Sequence, residues 1–332
     1  MIALCTRATL RSPLSPPSSL SPPSPLSTLL LRQARCVRLF SSAPWRREDP
    51  RIQQFGREIV DDFAVMREKY ASPKNTIVLA HGLLGFDELR LAGSLIPGLH
   101  YWRGITDALA KKGIEVIVAA VPPSGSIEAR SAKLAESIAL KARGKQVNII
   151  AGLDSRYMIS RLRPTDFKIL SLTTVATPHR GSAFADYMFE TIGPRRIKRV
   201  YKVMEYFGFE TGAFSQLTQE YMKNSFNPRT PDIPDVKYYS YGASLEPNRW
   251  SVFAPSHAII KPVEGLNDGL VSVSSSQWGD YKGTLIGVSH LDLINWTNRL
   301  KWYFWELTGS KRNFNAIAFY LDICDMLAKE DL

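Results

Sequence analysis

Two residues in the C-terminal third have the types and order of a proton relay. Asp268 sits in an Asn-Asp-Gly turn within "GLNDGLVSVSSSQWG" (265–279), and His290 sits in "GVSHLDLINW" (287–296), just ahead of an expected helix. A carboxylate that orients an imidazole, and an imidazole that takes a proton from a hydroxyl, are two members of a nucleophilic triad for acyl transfer. Taken singly, Asp268 is a turn former and His290 a helix-start residue. A third segment gives them company. "AHGLLGF" (80–86) places a His-Gly turn after an apolar run, and such a turn frees the next backbone N–H, that of Leu83, to donate to an oxyanion. The attacking group is missing. A strained strand-to-helix turn of the form G-x-S-x-G would present it, but the glycine pairs at that spacing ("GFETG", "GLNDG", "GDYKG", "GTLIG") have no central serine. Ser155, nearest to the expected place, falls in the first turn of a helix and reads as a packing or surface residue.

The elements that must position these residues alternate. "TIVLAHG", "IEVIVAAV", "QVNIIA" and "ILSLTTVATP" read as short buried strands. "YWRGITDALAKKG" (101–113), "SIEARSAKLAESIALKARG" and "LDSRYMISRL" read as the helices between them. That rhythm predicts right-handed β-α-β units and a mostly parallel central sheet with helices on both faces. After Ser182 it breaks into a long helical insertion, about 183–227. "VKYYSYGA" and "DGLVSVSS" then read as strands, and helices around 291–307 and 313–329 close the chain. The expected organisation is a leader (1–40), a linker or helix (41–74) and one α/β domain (75–332) carrying the insertion.

The leader differs from the rest. Residues 1–40 hold Arg7, Arg11, Arg32, Arg35 and Arg38, no acid, and abundant Ser, Pro and Leu. This is the composition of a mitochondrial transit peptide, and "RLFSSA" (38–43) places a processing site after Phe40. A Ser/Pro-rich tail without an address is the alternative. Removing those five arginines takes the net charge from +11 to +6. The remainder is mildly basic, which suits anionic lipid surfaces. No zinc-finger spacing or RNA-binding signature points to nucleic acid. No run reaches the ~18 to 20 apolar residues of a transmembrane segment. Cys5 and Cys36 leave with the leader, so Cys324 alone can form neither an internal disulfide nor a cysteine metal cluster.

"HGLLGF", "YWRGI", "GLDSRYMISRL", "VATPHRGSAFAD", "NDGLVSVSSSQWG" and "HLDLINW" occur in the order found in the Pseudomonas and Burkholderia type lipases, and the chain resembles still more the fungal mitochondrial triacylglycerol lipases. The resemblance spans roughly residues 75–307. It implies an α/β-hydrolase fold with a helical lid, hydrolysis of acylglycerol or related lipid esters, no cofactor, Asp268 as triad acid, His290 as base and Leu83 as one oxyanion donor. It also locates the gap. That family runs from its third strand into Gly/Ala-His-Ser-x-Gly-Gly and then Leu-Asp-x-Arg-Tyr, whereas here "NIIA" meets "GLDSRY" directly. About four residues are missing between Ala151 and Gly152, and with them the nucleophile and the second oxyanion donor. The chain as written is therefore expected to be inactive, its fold strained at this junction. A splice variant or misplaced exon boundary of a lipase is one reading. A nonenzymatic module that binds lipid or a protein partner is a second, and the same fold with changed chemistry, such as a thioester or phospholipid acyl hydrolase, is a third.

His179 and Arg180, in "VATPHRGS", read as loop residues bonding backbone rather than as catalytic groups. Bacterial relatives hold a calcium ion beside the catalytic histidine. Asp292 matches one of its ligands, but Trp296 stands where a glutamine would, so no metal site is expected. In the insertion, "IGPRRIKRVYKVMEYFGF" (192–209) puts Ile197, Val200, Tyr201, Met204 and Phe207 on one helical face and Arg195, Arg196, Lys198, Arg199 and Lys202 on the rest. Such a helix either lies on an anionic membrane surface, as a lid would, or packs on its own domain with a solvated basic face.

Overall fold

Thr76–Ala80 is buried at all five positions, as expected of a strand covered on both faces. Its alternate side chains enter two separate cores: Ile77 and Leu79 one, Val78 and Ala80 the other. In the computed structural model the described residues are 56–60, 63, 66–82, 88–89, 99–102, 104–123, 125–190, 215–249, 251–295 and 314–332. All lie within the unit Pro44–Leu332.

The strands are β1 (Glu58–Ile59), β2 (Thr76–Ala80), β3 (Glu88–Leu89), β4 (Leu99–His100), β5 (Val116–Ala119), β6 (Gln146–Ala151), β7 (Lys168–Val175), β8 (Lys237–Ser244) and β9 (Asp280–Ile286). Seven form one sheet in the order β1-β9-β8-β7-β6-β2-β5, with every neighbouring pair parallel. β3 and β4 make a separate antiparallel pair. Helices Ile105–Lys111 and Ala316–Lys329 contribute Ile105, Leu109, Phe319, Ile323 and Leu327 to the core on one face. Ile127–Ala142 and the helix after β6 supply Leu134, Ile138, Met158 and Ile159 on the other. Each fully buried Leu or Ile contributes about 1.5–3 kcal/mol.

The chain leaves β2 for β5 and then crosses back to β6, on the opposite side of β2. The C-terminal ends of β2 and β6 therefore flank the point where strand order reverses, which is where crevices form above open parallel sheets.

Several expectations change in detail. The helix foreseen over 101–113 occupies only Ile105–Lys111. Gly104, at φ +76°, turns the chain left-handed, and Tyr101 and Trp102 form the turn ahead of it. "DGLVSVSS" is not a strand: Asn267 and Ser272 share one isolated antiparallel bridge, and Ser272 then caps a short helix, Val273–Ser276. A serine with its hydroxyl on a backbone N–H three residues ahead favours a helix start over an extended continuation. The last sheet strand is instead β9. Of the first closing helix the described part is one 3₁₀ turn, Asp292–Ile294, and the rest of it lies outside the described residues. The sheet also begins before Asn75, because β1 pairs with β9.

Candidate active site

Asp268 is fully buried in a tight turn that its own carboxylate organises. Oδ1 accepts from the backbone N–H groups of Leu270 and Val271 at 2.9 and 2.8 Å, and the Asp268 N–H donates to the Val271 carbonyl at 3.1 Å. The turn needs Gly269. Its φ is +100°, and a β-carbon there would lie 2.6 Å from the Phe253 side chain. The other carboxylate oxygen, Oδ2, is 2.6 Å from His290 Nδ1. The His290 N–H also donates to the Asp268 carbonyl at 3.1 Å, so main chain and ring are held by one partner. Burial disfavours a charged imidazole, but the adjacent Asp268 carboxylate overrides it and raises the His290 pKa above the ordinary value. The Asp268 side chain is wholly covered while that of His290 keeps 32% exposure. Nδ1 is engaged and part of the ring stays open to the outside, the arrangement a general base requires.

His290 leaves β9 through a turn closed by Asp292. Asp292 Oδ2 accepts from the Ser289 N–H at 3.0 Å and the Ser289 hydroxyl at 2.6 Å, and its own N–H donates to the Ser289 carbonyl. The Asp292 carboxylate thus braces the turn that presents the histidine. Among the described residues no group of three or more His, Cys, Asp or Glu is set to hold a metal ion.

The nucleophile half is different. β6 pairs with β7 through Ala151, opposite Thr174, and the helix begins at Leu153. Gly152 alone makes the reversal, in extended backbone (φ −138°, ψ −142°), and no side chain caps the helix. The strand does not slip at its end. The β6–β7 register shifts once, between Val147 and Asn148, and the helix is α for Leu153–Tyr157 and widens to a π-helix over Met158–Leu162. Ser155 is fully buried, and its hydroxyl finds no partner among the described residues. It is a packing residue, set into a helix rather than on a strained turn. Leu83 lies outside the described residues. His81 and Gly82, which precede it at the end of β2, are described: His81 is buried, its ring Nδ1 3.0 Å from the Gly82 carbonyl.

Two cationic clusters brace the junction of β6 with its helix, and sequence reasoning found neither. Arg130, 1% exposed, meets Asp154 through Nε at 3.0 Å and Nη2 at 2.7 Å, and donates to the carbonyls of His81 and Pro122. It ties the post-β6 helix to the chain after β2 and β5. Burial pushes the Asp154 carboxyl upward, opposed by Arg130. Arg156 lies with its guanidinium carbon 3.5 Å from the centre of the Trp278 ring, on which His179 also stacks at 5.2 Å. Arg156 donates to His179 Nδ1 at 3.1 Å and to Asn227 Oδ1 at 3.0 Å. His179 Nε2 meets the Thr174 hydroxyl at 2.9 Å. Burial, with Arg156 and Arg180 beside it, holds His179 well below the usual histidine pKa, so it is neutral and donates from Nε2. Arg180 donates to the carbonyls of Ser274 and Gln277. Both side chains are engaged by their surroundings. The one sequence signal for the clusters was two charged residues, Asp154 and Arg156, in a helix otherwise facing the core.

The insertion leaves the sheet as a helix over 183–190 and returns through Gln219–Tyr221, Met222–Phe226 and Asn227–Arg229. The basic amphipathic segment foreseen at 192–209, with Arg195, Arg196, Lys198, Arg199 and Lys202, lies outside the described residues. No helix among the described residues is long and apolar enough to cross a membrane.

Comparison with known proteins gives the family and the fold. The chain is 36% identical to triacylglycerol lipase 2 of Saccharomyces cerevisiae, over 82% of this chain and 97% of that protein. It is 28% identical to a triacylglycerol lipase of Vibrio cholerae, over 70% and 83%, and 26% identical to one of Pseudomonas fragi, over 77% and 97%. No protein-family model matches. Among solved structures, a metagenomic carboxyl esterase superposes with a TM-score of 0.61 at 18% identity, covering 79% of this chain and 78% of its own. The mature form of a Bacillus licheniformis lipase gives 0.53 at 20% identity, covering 75% and 96%. At these identities the structural likeness speaks for the fold: an α/β-hydrolase.

Proposed function

We propose, for a chain that belongs to the triacylglycerol lipase family, that Asp268 and His290 are the acid and base of a serine hydrolase of acylglycerol or related lipid esters, and that this chain is inert because the nucleophile elbow is missing after Ala151. The observation that carries the reading is the Asp268–His290 pair. A buried carboxylate with one oxygen saturated by two backbone N–H groups and the other 2.6 Å from an imidazole nitrogen is a costly arrangement that a simple turn does not need.

In such a site the imidazole takes the proton of a serine hydroxyl as it attacks the ester carbonyl. It then returns that proton to the departing alcohol, and water repeats the cycle to free the fatty acid. Asp268 holds the Nδ1–H tautomer and stabilises the imidazolium, while backbone N–H groups, that of Leu83 among them, receive the oxyanion. On this reading the base is His290, and among the described residues no hydroxyl is bonded to it. Loss of the triad serine typically lowers kcat by on the order of 10⁶.

The test is labelling with a fluorophosphonate, which reports an activated serine. The chain should take up no label. A variant with His-Ser-Leu-Gly inserted between Ala151 and Gly152 should take up one equivalent and lose it on His290→Ala. Stoichiometric labelling of the unaltered chain, Ser155 included, would refute the proposal. Sequencing the transcript across the codons for Gln146 to Arg156 separates the two origins. Twelve further nucleotides there mean that the working enzyme is a lipase and this chain a variant of it. A message that reads straight from Ala151 to Gly152 means that the protein acts by binding.

The Arg-rich, acid-free leader supports mitochondrial targeting. Residues 1–40 fused to a fluorescent reporter should direct it to mitochondria and be removed near Phe40, whereas a cytosolic, full-length reporter would sink the assignment.

A further inference from the structure

We propose that Glu264 is a positioning residue that couples the two feet of the insertion to the turn carrying Asp268. Glu264 is the last residue of the helix Ala254–Glu264, which Gly265 ends at φ +83°. A carboxylate at a helix C-terminus faces the negative end of the helix dipole, and here burial also raises its pKa. Local electrostatics thus work against an acid at this position, and its tertiary partners account for its presence.

Those partners come from three places. Oε1 accepts from the Ala183 N–H at 2.5 Å, in the first turn of the outgoing foot. The Gln219 side chain, from the returning foot, lies near enough to favour its charged form. Oε2 accepts from the Ser272 hydroxyl. Ser272 bridges to Asn267 across the Asp268 turn and caps the next helix, its Oγ taking the Ser275 N–H at 3.0 Å. One carboxylate thus spans outgoing foot, returning foot and catalytic turn.

The feet are also joined directly. The Ser182 N–H donates to the Leu217 carbonyl at 3.0 Å, and a β-carbon on Gly181 would sit 2.6 Å from the Gln219 nitrogen. A second strap runs from the Ser182 hydroxyl to the Leu270 carbonyl, inside the Asp268 turn, at 2.8 Å. A displacement at the feet reaches Asp268 through a handful of hydrogen bonds rather than through the sheet.

The inference rests on the catalytic reading of Asp268 and His290, and the experiment on the full chain separates the two. Backbone hydrogen exchange is followed over 181–190, 215–222 and 266–273, with the buried strands at 76–80 and 146–151 as reference. The low-field NMR resonance of the His290 Nδ1 proton is recorded in parallel. Glu264→Ala should speed exchange at least tenfold in all three segments, leave the reference strands unchanged and broaden or shift the proton signal. Glu264→Gln, which keeps a carbonyl acceptor, should restore most of the protection and the signal. Ser272→Ala, which leaves both feet on Glu264, should loosen 266–273 far more than 181–190. Exchange confined to the C-terminus of the 254–264 helix, or a proton signal unmoved in Glu264→Ala, would overturn the proposal. If Glu264→Ala fails to fold, Glu264→Gln and Ser272→Ala carry the test. A wild-type protein with no low-field resonance but with the three segments still coupled would count against the catalytic reading and support the coupling.

Discussion

At the ends of β8 and β9 a carboxylate receives three donors, two from backbone and one from His290, and each residue of the relay has a second residue fixing its turn. At the ends of β2 and β6, where strand order reverses, one glycine joins strand to helix with no cap and no nucleophile. Both halves stand on the same parallel sheet. The difference teaches that, on the proposed reading of Asp268 and His290, such a site is modular. The relay depends on two loops and their local hydrogen bonds. The nucleophile depends on a single tight reversal, which can shorten while the sheet stays paired on both sides of it. The junction is held by groups that are not catalytic: Arg130 with Asp154 in front, and Arg156 with Trp278 and His179 behind.

Restoring the missing half would sharpen this comparison most. If only the elbow is lacking, insertion of His-Ser-Leu-Gly between Ala151 and Gly152 should raise turnover of a short-chain nitrophenyl ester by on the order of 10⁶. Asp268→Asn in that background should remove about 10⁴ of it, because the imidazole is left in the wrong tautomer. An insertion variant that folds, by circular dichroism, but gains nothing would mean that the relay half is a relic.

Breaking the brace comes next. Arg130→Met strands the Asp154 carboxylate in the interior, and losing one partner of a buried pair costs about 3–5 kcal/mol. Urea unfolding should show this as a lower midpoint with an unchanged slope. An effect below about 1 kcal/mol would mean that the junction stands without the pair. On the other side, Trp278→Phe keeps a ring under Arg156 but loses the indole bond to Asp232 at 2.9 Å, a smaller change of about 1 kcal/mol.

The same division governs what the sequence alone made legible. β6 matched "QVNIIA" residue for residue because an apolar run ends there at a glycine, and the 2.6 Å contact of Asp268 with His290 was legible from their order on loops near the sheet. β9 was missed. Its "DYKGTLI" is polar at its start and contains Gly283, which is needed because the Arg57 carbonyl lies 2.5 Å from where its β-carbon would be. The need for that glycine comes from a neighbouring strand, not from local pattern. "DGLVSVSS" failed for the opposite reason: a local force, the Ser272 cap, outweighed its β-branched composition. The Arg130–Asp154 pair joins residues 24 apart; helical phase sets Arg130 on the buried face with Ile127, Leu134 and Ile138, but local pattern does not name its partner. The wider second turn of the post-β6 helix was also unforeseen.

A pH-dependent effect is predicted where the insertion meets the Asp268 turn. Asp186 accepts the Gln219 N–H at 3.0 Å, joining the outgoing and returning feet. Burial raises its carboxyl to about 7. Glu264 across the junction, Glu190 on its own helix and Glu220 on the returning foot push the same way, and the Gln219 N–H opposes them. A carboxyl raised on folding favours the folded state most at low pH. In the unfolded chain Asp186 titrates near 3.8, so its contribution is full below about pH 4, declines as pH climbs and is gone above about 7. Asp186→Asn keeps an acceptor for Gln219 and removes the titration. The stability difference between wild type and Asp186→Asn, from urea unfolding at half-unit steps, should therefore slope between pH 4 and 7 and flatten on either side. A difference that is level across that window would mean that the feet are held without regard to the charge on Asp186. The sensitivity of the relay half to the insertion would then rest on Glu264 and Ser182 alone.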